Sequence, residues 1–459
     1  MRYHFGYQTI MLAIFLSAAS LLSTCSPQQT VESVEEHAAT KIALDWNKLL
    51  LELEWHTPGY RPPVSARMFA YAEMAAYEAA LPGMNGYVSL ENTCPGFENI
   101  HFETTDYHLP SALNAAYAYI ARAFFPTAPI EWQEKIKQLE AGNRQLNESN
   151  ATALAIQYSI NFGNKTAAAV WRYAMQDSMG HDGFMYNYDR HYKPRTTRGC
   201  WVSSEEHPMP PLLPYWGLVR PFVVNTQEKA VKPPIPFGET APSAFYSQAM
   251  EVFSTVNSLS SEERWIAEFW SDDLPGLTIT PIGRWISITN QCMEHSSISF
   301  PVVMETYLKT AMALCDAAIV CWDAKYKYQL ERPETFIRRN IKPDWRPLHN
   351  NPSFPSYPSG HAMFGAAAAE ILAAAFGADY SITDRTHQGR QEFMGKPRSF
   401  KSFDDMANEN AYSRLLIGVH YRMDCEEGLR LGKIVGQKVN ALSLHKGQAE
   451  AIRLNNATN

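Results

Sequence analysis

Three polar clusters in the last third of the chain could together bind an anion. They are Lys325-x6-Arg332-Pro333, Tyr357-Pro358-Ser359-Gly360-His361 and Ser413-Arg414-x3-Gly418-x-His420-x3-Asp424. The clusters supply several cations, two histidines, small hydroxyls, flexible backbone and one carboxylate. Planar guanidinium groups and ammonium groups suit oxyanions. The combination therefore predicts a receptor for a tetrahedral oxyanion, with a nucleophile or a metal ligand beside it.

The first cluster pairs two cations on one predicted helix. Lys325 and Arg332 are separated by two helical turns, so on a continuous helix from Val302 to Arg332 they would share a face. Pro333 disfavours helical geometry at the residue before it, so we expect this helix to end near Arg332. Taken alone, two such cations are more typical of a solvated helix face than of a binding site.

The second cluster precedes an alanine-rich apolar run. This order predicts a helix over 361–376 with Ser359 as its N-cap. The free N–H groups and the dipole of a helix N-terminus favour an anion, and Gly360 allows close approach of the backbone. His361 would stand beside the bound anion. A single Ser-Gly-His sequence on its own is more often an ordinary turn.

The third cluster contains a histidine and a carboxylate at helical spacing. His420 and Asp424 are four residues apart in a predicted helix over 412–442. Asp424 could accept a hydrogen bond from one imidazole nitrogen and leave the other free to attack or to ligate a metal. Arg414 would not share their face, so we expect it near the start of that helix.

In this order and with these spacings, the clusters resemble the signature of the type 2 phosphatidic-acid phosphatase superfamily, which includes acid phosphatases and vanadium-dependent haloperoxidases. The resemblance implies a vanadate cofactor, or phosphate in the same site, bound by Lys325, Arg332, Ser359, Gly360 and Arg414. It also implies that His420 is the vanadium ligand, or the phosphorylated nucleophile of a phosphatase. His361 would be the acid–base residue, Asp424 would orient His420, and Lys325 would activate bound peroxide.

Two aromatic residues favour the haloperoxidase over the phosphatase. Trp322 precedes Lys325 by three residues and Phe354 precedes His361 by seven, and both placements resemble the halide side of vanadium-dependent haloperoxidases. Ordinary core packing explains the same two residues equally well. We predict an enzyme that oxidises halide with hydrogen peroxide, with iodide first and bromide second. The alternative is an exported acid phosphatase that acts through a phospho-histidine.

Apolar periodicity predicts an all-α fold of packed helices. The resemblance implies two four-helix bundles with long loops. We predict one large unit over 41–459, with an N-terminal helical half over 41–200 and a catalytic half over 243–445. A proline-rich connection over 201–242 would join them. A second loop, over 381–409, would lie between the second and third clusters.

The start of the chain predicts export from a bacterial cell. Residues 1–24 form a short apolar segment typical of a signal peptide, and Cys25 suits a lipoprotein, although a plain secretory signal is the alternative. Residues 25–40 predict a flexible tether. We therefore expect a periplasmic or outer-membrane protein, anchored to the membrane if Cys25 is lipidated.

The net charge and the cysteine count limit the classes of binding partner and the covalent cross-links to be expected. The formal net charge of −7 argues against a general nucleic-acid binder. The remaining six cysteines permit disulfides in an exported protein, but their pairing cannot be deduced. We expect hydrogen peroxide and halide as small-molecule partners, and a homo-oligomer is compatible with helical bundles.

Overall fold

The computed structural model describes residues 33–104, 106–147, 151–204, 208–225, 230–272, 278–391 and 394–447. Within these ranges the chain forms fourteen α-helices and one two-stranded sheet, so the predicted all-α class is confirmed. The predicted signal segment 1–24, Cys25 and the tether as far as residue 32 lie outside the described residues. None of the described helices is both long enough and apolar enough to cross a membrane.

The helices vary from one turn to eight. In chain order they are α1 (Val34–His56), α2 (Pro62–Ala80), α3 (Leu109–Phe124), α4 (Ile130–Asn147), α5 (Ala153–Met175), α6 (Ser178–His181), α7 (Ala244–Asn257), α8 (Ser261–Phe269), α9 (Pro281–Glu294), α10 (Phe300–Tyr328), α11 (Pro333–Asn340), α12 (Gly360–Phe376), α13 (Phe403–Ile417) and α14 (Arg422–Asn440). The strands β1 (Ile382–Asp384) and β2 (Arg398–Phe400) pair antiparallel, with Ile382 opposite Phe400.

Two helical bundles share the long helix α10. In the first bundle, α1, α2, α3 and α5 pack together, and every residue of α2 is buried. In the second, α12 packs against α10, α13 and α14. Because α10 contacts both α2 and α12, it joins the two bundles. A helix whose residues are mostly apolar or small on every side belongs in the middle of such a bundle, which explains the positions of α2 and α12.

Glycine brings α14 unusually close to α12. Gly428, Gly432 and Gly436 repeat every four residues and therefore lie on one face of α14. A methyl group at Gly432 would lie 2.3 Å from the carbonyl oxygen of Met363, and one at Gly428 would lie 2.6 Å from that of Ser359. This close contact sets the position of the amino end of α12, where Gly360 and His361 lie.

Tertiary contacts end α10 earlier than the sequence predicts. The helix stops at Tyr328 because Gln329 adopts a left-handed conformation, with φ of 51°. The Gln329 side chain accepts a hydrogen bond from the backbone of Arg195 and donates to the hydroxyl of Tyr192. The prediction of one helix from Val302 to Arg332 is therefore wrong. Arg332 is instead the N-cap residue of α11 and does not share a helical face with Lys325.

A glycine also divides the predicted helix over 412–442. Gly418, with φ of 89°, ends α13, and α14 begins four residues later. His420 lies in the connection between them, and Asp424 lies in the first turn of α14. Arg414 belongs to the last turn of α13, so the prediction that it lies near a helix start is wrong. The predicted loop over 381–409 contains β1, β2 and the first turns of α13.

At the amino end, the last part of the predicted tether is helical. Ser33 and Glu36 form a capping box, in which Ser33 Oγ accepts from the Glu36 N–H and the Glu36 carboxylate accepts from the Ser33 N–H. This local signal starts α1 at Val34, so the prediction of a tether is wrong for residues 34–40.

The proline-rich connection is held by a buried carboxylate. Its described residues form a 3-10 turn at Trp216–Leu218 and contain no α-helix. The fully buried Asp316 of α10 accepts backbone hydrogen bonds from Phe222, Val223 and Val224. The six described cysteines form no disulfides. The division into halves at 201–242 stays a prediction.

Candidate active site

A cavity of about 300 Å³ collects residues from all three sequence clusters. Its wall includes Arg332 from the first cluster, Gly360 and His361 from the second, and Arg414 and His420 from the third. Trp322 and Phe354 also line it. Lys325, Ser359 and Asp424 lie behind this wall, where they contact the residues that form it. No aspartate or glutamate is found among the described residues that line the cavity.

Arg332 is fixed at the centre of the wall. Its Nη1 donates to Val419 O at 2.9 Å and lies 3.1 Å from His420 Nε2. Its Nε and Nη2 both donate to Phe354 O, at 3.1 and 3.0 Å. Carbonyl groups on two sides therefore hold the guanidinium plane beside the imidazole of His420.

His420 is oriented by a carboxylate, as the sequence spacing predicts. Its Nδ1 lies 2.9 Å from Asp424 Oδ2, which also accepts from Ser356 Oγ at 2.5 Å and from the Tyr421 N–H at 3.2 Å. A proton on Nδ1 satisfies this contact, so the Nε2 lone pair is directed toward Arg332 and the cavity. The geometry suits a neutral imidazole that offers one lone pair.

Burial and neighbouring charge both support this neutral state. Burial, followed by the charge of Arg332, lowers the pKa of His420 well below its usual value. Burial also raises the pKa of Asp424 to about 6, against the hydrogen bond from Ser356 and the charge of Lys325. Near neutral pH the imidazole is therefore unprotonated, while the carboxylate that orients it is charged.

His361 is the second residue of α12 and its side chain points to the cavity. It is buried, and its Nε2 has no hydrogen-bond partner within the described structure. Burial, followed by the charge of Arg414, lowers its pKa well below the usual value. Ser359 Oγ accepts from the Ala362 N–H, which confirms its predicted role as N-cap of this helix. A buried imidazole atom with no partner requires one from whatever enters the cavity.

Lys325 is buried behind the wall and is already fully engaged. Its Nζ donates to three backbone carbonyls, those of Pro355, Ser356 and Pro358, at 2.9, 2.8 and 2.6 Å. Burial lowers its pKa to about 7. In this arrangement the ammonium holds the turn that precedes α12. Its roles in binding the oxyanion and activating peroxide stay predictions.

Trp322 and Phe354 form the apolar part of the wall. Their ring centroids lie 5.0 Å apart at an interplanar angle of 47°. Trp322 Nε1 donates to Leu212 O at 3.2 Å, which attaches the proline-rich connection to α10. The two residues predicted for the halide side are thus brought together on the cavity wall.

A buried ionic network behind Arg414 has no counterpart in the sequence motifs. Arg414 Nη1 donates to Trp270 O at 2.9 Å. Two residues further along, Asp272 accepts from Arg284 at 3.1 Å and lies 2.7 Å from His387 Nε2, while Arg284 also donates to Asp384 at 2.8 Å. These residues come from four separate segments, so no local spacing connects them. The network fixes the loop whose carbonyl orients Arg414.

The residues on the wall fit a tetrahedral oxyanion. Arg332 and Arg414 supply guanidinium groups, and the N-terminus of α12 contributes the region of Gly360. His420 offers an imidazole lone pair, and the unpartnered Nε2 of His361 lies in the same cavity. A cavity with these donors and no lining carboxylate suits an anion that is held by charge and by one histidine.

The fold and the cavity define a helical protein with a site for an oxyanion, and comparison with known proteins identifies its relatives. A family model described as the VCPO second helical-bundle domain matches residues 305–446. The vanadium chloroperoxidase of Curvularia inaequalis is 23% identical over 507 aligned residues, which cover 87% of this chain and 81% of that protein. The vanadium-dependent bromoperoxidase of Ascophyllum nodosum is 33% identical over 94 residues, 18% of this chain and 17% of that protein.

Solved structures of vanadium-dependent haloperoxidases are similar to this chain as well. The crystal structure of the first bacterial vanadium-dependent iodoperoxidase superposes with a TM-score of 0.78 at 28% identity, and the match covers 88% of this chain and 97% of that one. An apo-type bacterial vanadium-dependent chloroperoxidase has a TM-score of 0.63 at 16% identity, covering 85% and 97%, which shows the shared fold. The chain is a relative of the vanadium-dependent haloperoxidases. The predicted resemblance and the predicted enzyme class are confirmed.

Proposed function

We propose that this enzyme holds vanadate on His420 and oxidises iodide with hydrogen peroxide to hypoiodite, with bromide as the second halide. The observation that carries the proposal is the His420 imidazole, oriented by Asp424 and set beside Arg332 in a cavity with an aromatic wall. The similarity to a bacterial iodoperoxidase structure favours iodide, which is also the easiest of these halides to oxidise.

When bound, vanadate would supply the electron-poor centre on which hydrogen peroxide is activated for transfer of two electrons from halide. His420 Nε2 would donate its lone pair to that centre. Arg332 and Arg414 would balance the negative charge of the cofactor. The unpartnered Nε2 of His361 lies in the same cavity, so it could accept the proton that peroxide releases. The rings of Trp322 and Phe354 would exclude water and give a polarizable halide an apolar surface.

The alternative, a phosphatase, would use the same cavity in another way. His420 would attack phosphorus, and His361 would have to donate a proton to the leaving group. Burial and cationic neighbours lower the pKa of His361, and either anion would counter those cations, so this pKa does not separate the two functions. The similarity to vanadium haloperoxidases favours the haloperoxidase.

The deciding experiment uses protein produced from Ser26 onward and stripped of oxyanions in phosphate-free buffer. Iodide oxidation by hydrogen peroxide is measured before and after addition of orthovanadate, and hydrolysis of p-nitrophenyl phosphate is measured on the stripped sample. We expect iodide oxidation that depends on vanadate, with feeble hydrolysis. Strong hydrolysis that vanadate inhibits, without halide oxidation, would establish the phosphatase instead. Rates with bromide and chloride then rank the halides.

Export and anchoring belong to the same proposal. Cys25 would carry the lipid of a periplasmic or outer-membrane lipoprotein, and a homo-oligomer is compatible with the helical bundles. Fractionation of cells that express the wild type or the Cys25→Ser variant tests the anchor, because only the wild type should remain with membranes. Sedimentation of the protein from Ser26 onward measures the oligomeric state.

A further inference from the structure

An open groove of about 410 Å³ lies beside the active-site cavity. Met209 lines both the groove and the cavity. Tyr188 lines the cavity, and the next two residues, Asp189 and Arg190, line the groove. The two spaces are therefore neighbours, and a molecule held in the groove would lie next to the mouth of the site.

The described walls of the groove are mostly apolar and rich in proline. Four prolines line it, namely Pro194, Pro208, Pro210 and Pro211. Proline has a fixed φ, so these segments lose little freedom when a ligand binds. Tyr192 also lines the groove. Its hydroxyl accepts from Gln329 Nε2 at 2.9 Å, and its ring meets that of Tyr326 edge to face at 5.4 Å. One side of the groove is thus aromatic, and the contacts of Tyr192 fix its position.

The groove carries local positive charge on an acidic protein. Arg190 and Arg195 both line it and are exposed, and among the described residues that line it Asp189 carries the one carboxylate. The Asp189 carboxylate accepts from the His191 N–H at 2.7 Å. The backbone N–H of Arg195 donates to Gln329 Oε1 at 2.8 Å, and its guanidinium donates to Lys327 O. Among the described lining residues two cations stand against one anion, and this local charge attracts a negatively charged group, although the chain as a whole has a charge of −7.

We propose that this groove binds an anionic aromatic compound, such as a phenol that carries a carboxylate, and presents its ring to the hypohalite that leaves the cavity. The proposal rests on the proposed haloperoxidase function. The arginines would pair with the carboxylate, and the ring would pack against Tyr192 and Met209. The size of the groove falls within the range of small-molecule sites.

The chemistry balances without a further reagent. Halide gives two electrons to hydrogen peroxide, which yields hypohalite and water. In the acceptor, a ring carbon forms a bond to the halogen while the oxygen–halogen bond of the hypohalous acid breaks. The ring proton leaves with the hydroxide as water.

The test compares two acceptors of similar shape, the anionic 4-hydroxybenzoate and the neutral 4-hydroxybenzamide. The variant is Arg190→Gln/Arg195→Gln. The control is Lys165→Gln/Arg172→Gln, which removes two exposed cations from α5. We expect iodination of the benzoate by wild type to saturate. In the groove variant its KM should rise on the order of tenfold, the loss of one charge-assisted hydrogen bond. Iodination of the benzamide, triiodide formation without acceptor, and every rate of the control should stay unchanged.

Two outcomes would contradict the proposal that the groove binds the acceptor. One is iodination that rises linearly with both acceptors and equally in both variants, because hypohalite then diffuses freely. The other is an equal loss of triiodide formation in the groove variant, because the arginines then act on halide supply. If no triiodide forms with vanadate, the proposed function has failed rather than the groove. Calorimetric binding of 4-hydroxybenzoate then decides: binding by wild type and not by the variant supports the groove, and no binding by wild type refutes it.

Discussion

Nη1 of Arg332 lies 3.1 Å from Nε2 of His420, on the side of the imidazole opposite Asp424. The ring is thus held between a carboxylate and a guanidinium, which fixes both its orientation and the position of its proton. The guanidinium disfavours a second proton on the ring. An oxyanion that approaches Nε2 also contacts the Arg332 side chain. The histidine can therefore bind the oxyanion at the same place where the guanidinium balances its negative charge.

Asp424→Asn should weaken vanadate binding. The amide keeps the size of the side chain but lacks the charge that supports Nδ1 of His420. Loss of such a partner typically costs 10- to 100-fold in affinity or activity. The dissociation constant of vanadate is measured by reconstitution of stripped enzyme. Asp379→Asn, at an exposed position, serves as the control. Equal affinity in wild type and Asp424→Asn would mean that Asp424 does not support His420.

His361→Ala should separate turnover from cofactor binding. We expect kcat to fall by about two to four orders of magnitude, the usual contribution of a positioned acid–base group, while vanadate affinity changes only a few-fold. His349 lines the same cavity and belongs to none of the three clusters, so His349→Ala is the matched variant, with an expected loss of less than about tenfold on the same grounds. If the two variants lost the same activity, the acid–base role would not belong to His361.

Lys325→Met should destabilise the fold as well as impair the site. Three buried carbonyls, of Pro355, Ser356 and Pro358, would lose their donor. Each unsatisfied buried group costs about 1–3 kcal/mol, so we expect a fall in Tm of several degrees. Lys327→Met removes an exposed lysine from the same helix and should leave Tm unchanged. A Lys325→Met variant that melts like wild type would show that these three bonds contribute little.

Two features of the structure that depend on interactions between residues close in sequence were predicted correctly. The N-cap role of Ser359 depends on contacts within a few residues, and so does the pairing of His420 with Asp424. The end of α10 was predicted wrongly because distant contacts set it, whereas the break between α13 and α14 follows from a local residue, Gly418, that the prediction of one helix over 412–442 did not take into account. Gln329 is held in its left-handed conformation by partners more than one hundred residues earlier in the chain.

The buried ionic network could not be predicted from the sequence, because it also depends on contacts between distant residues. Asp272, Arg284 and the pair of Asp384 and His387 lie on three separate segments and meet only in the folded chain. The position of Lys325 was also unpredictable, because the carbonyls that surround it belong to the turn before α12. The motif spacing identified the residues around the cavity, and only the packing shows which ones form its wall.

Arg284→Gln tests the network behind Arg414. The substitution leaves Asp272 and Asp384 buried with less compensation, and breaking a buried ion pair typically costs about 3–5 kcal/mol. We expect a lower Tm and weaker vanadate binding, because the loop that carries Trp270 O would no longer hold Arg414. Arg385→Gln alters the exposed neighbour of Asp384 and controls for local charge. If Tm fell while the vanadate affinity stayed unchanged, the network would stabilise the fold but would not position Arg414 for vanadate binding.

Glu73 should make the stability of the first bundle depend on pH. It is fully buried, with Asn47 and Tyr117 as its hydrogen-bond donors, and burial raises its pKa from 4.5 to about 7. The folded state therefore holds the proton more tightly than the unfolded chain. The resulting stability is complete below pH 4.5 and is lost as pH rises through 7, by an amount on the order of 3 kcal/mol.

Glutamine cannot ionise, so Tm of Glu73→Gln should fall less than that of wild type between pH 5 and pH 8. Wild-type behaviour is expected for Glu91→Gln, at an exposed position. Parallel Tm curves for Glu73→Gln and wild type would show that Glu73 does not titrate in this range.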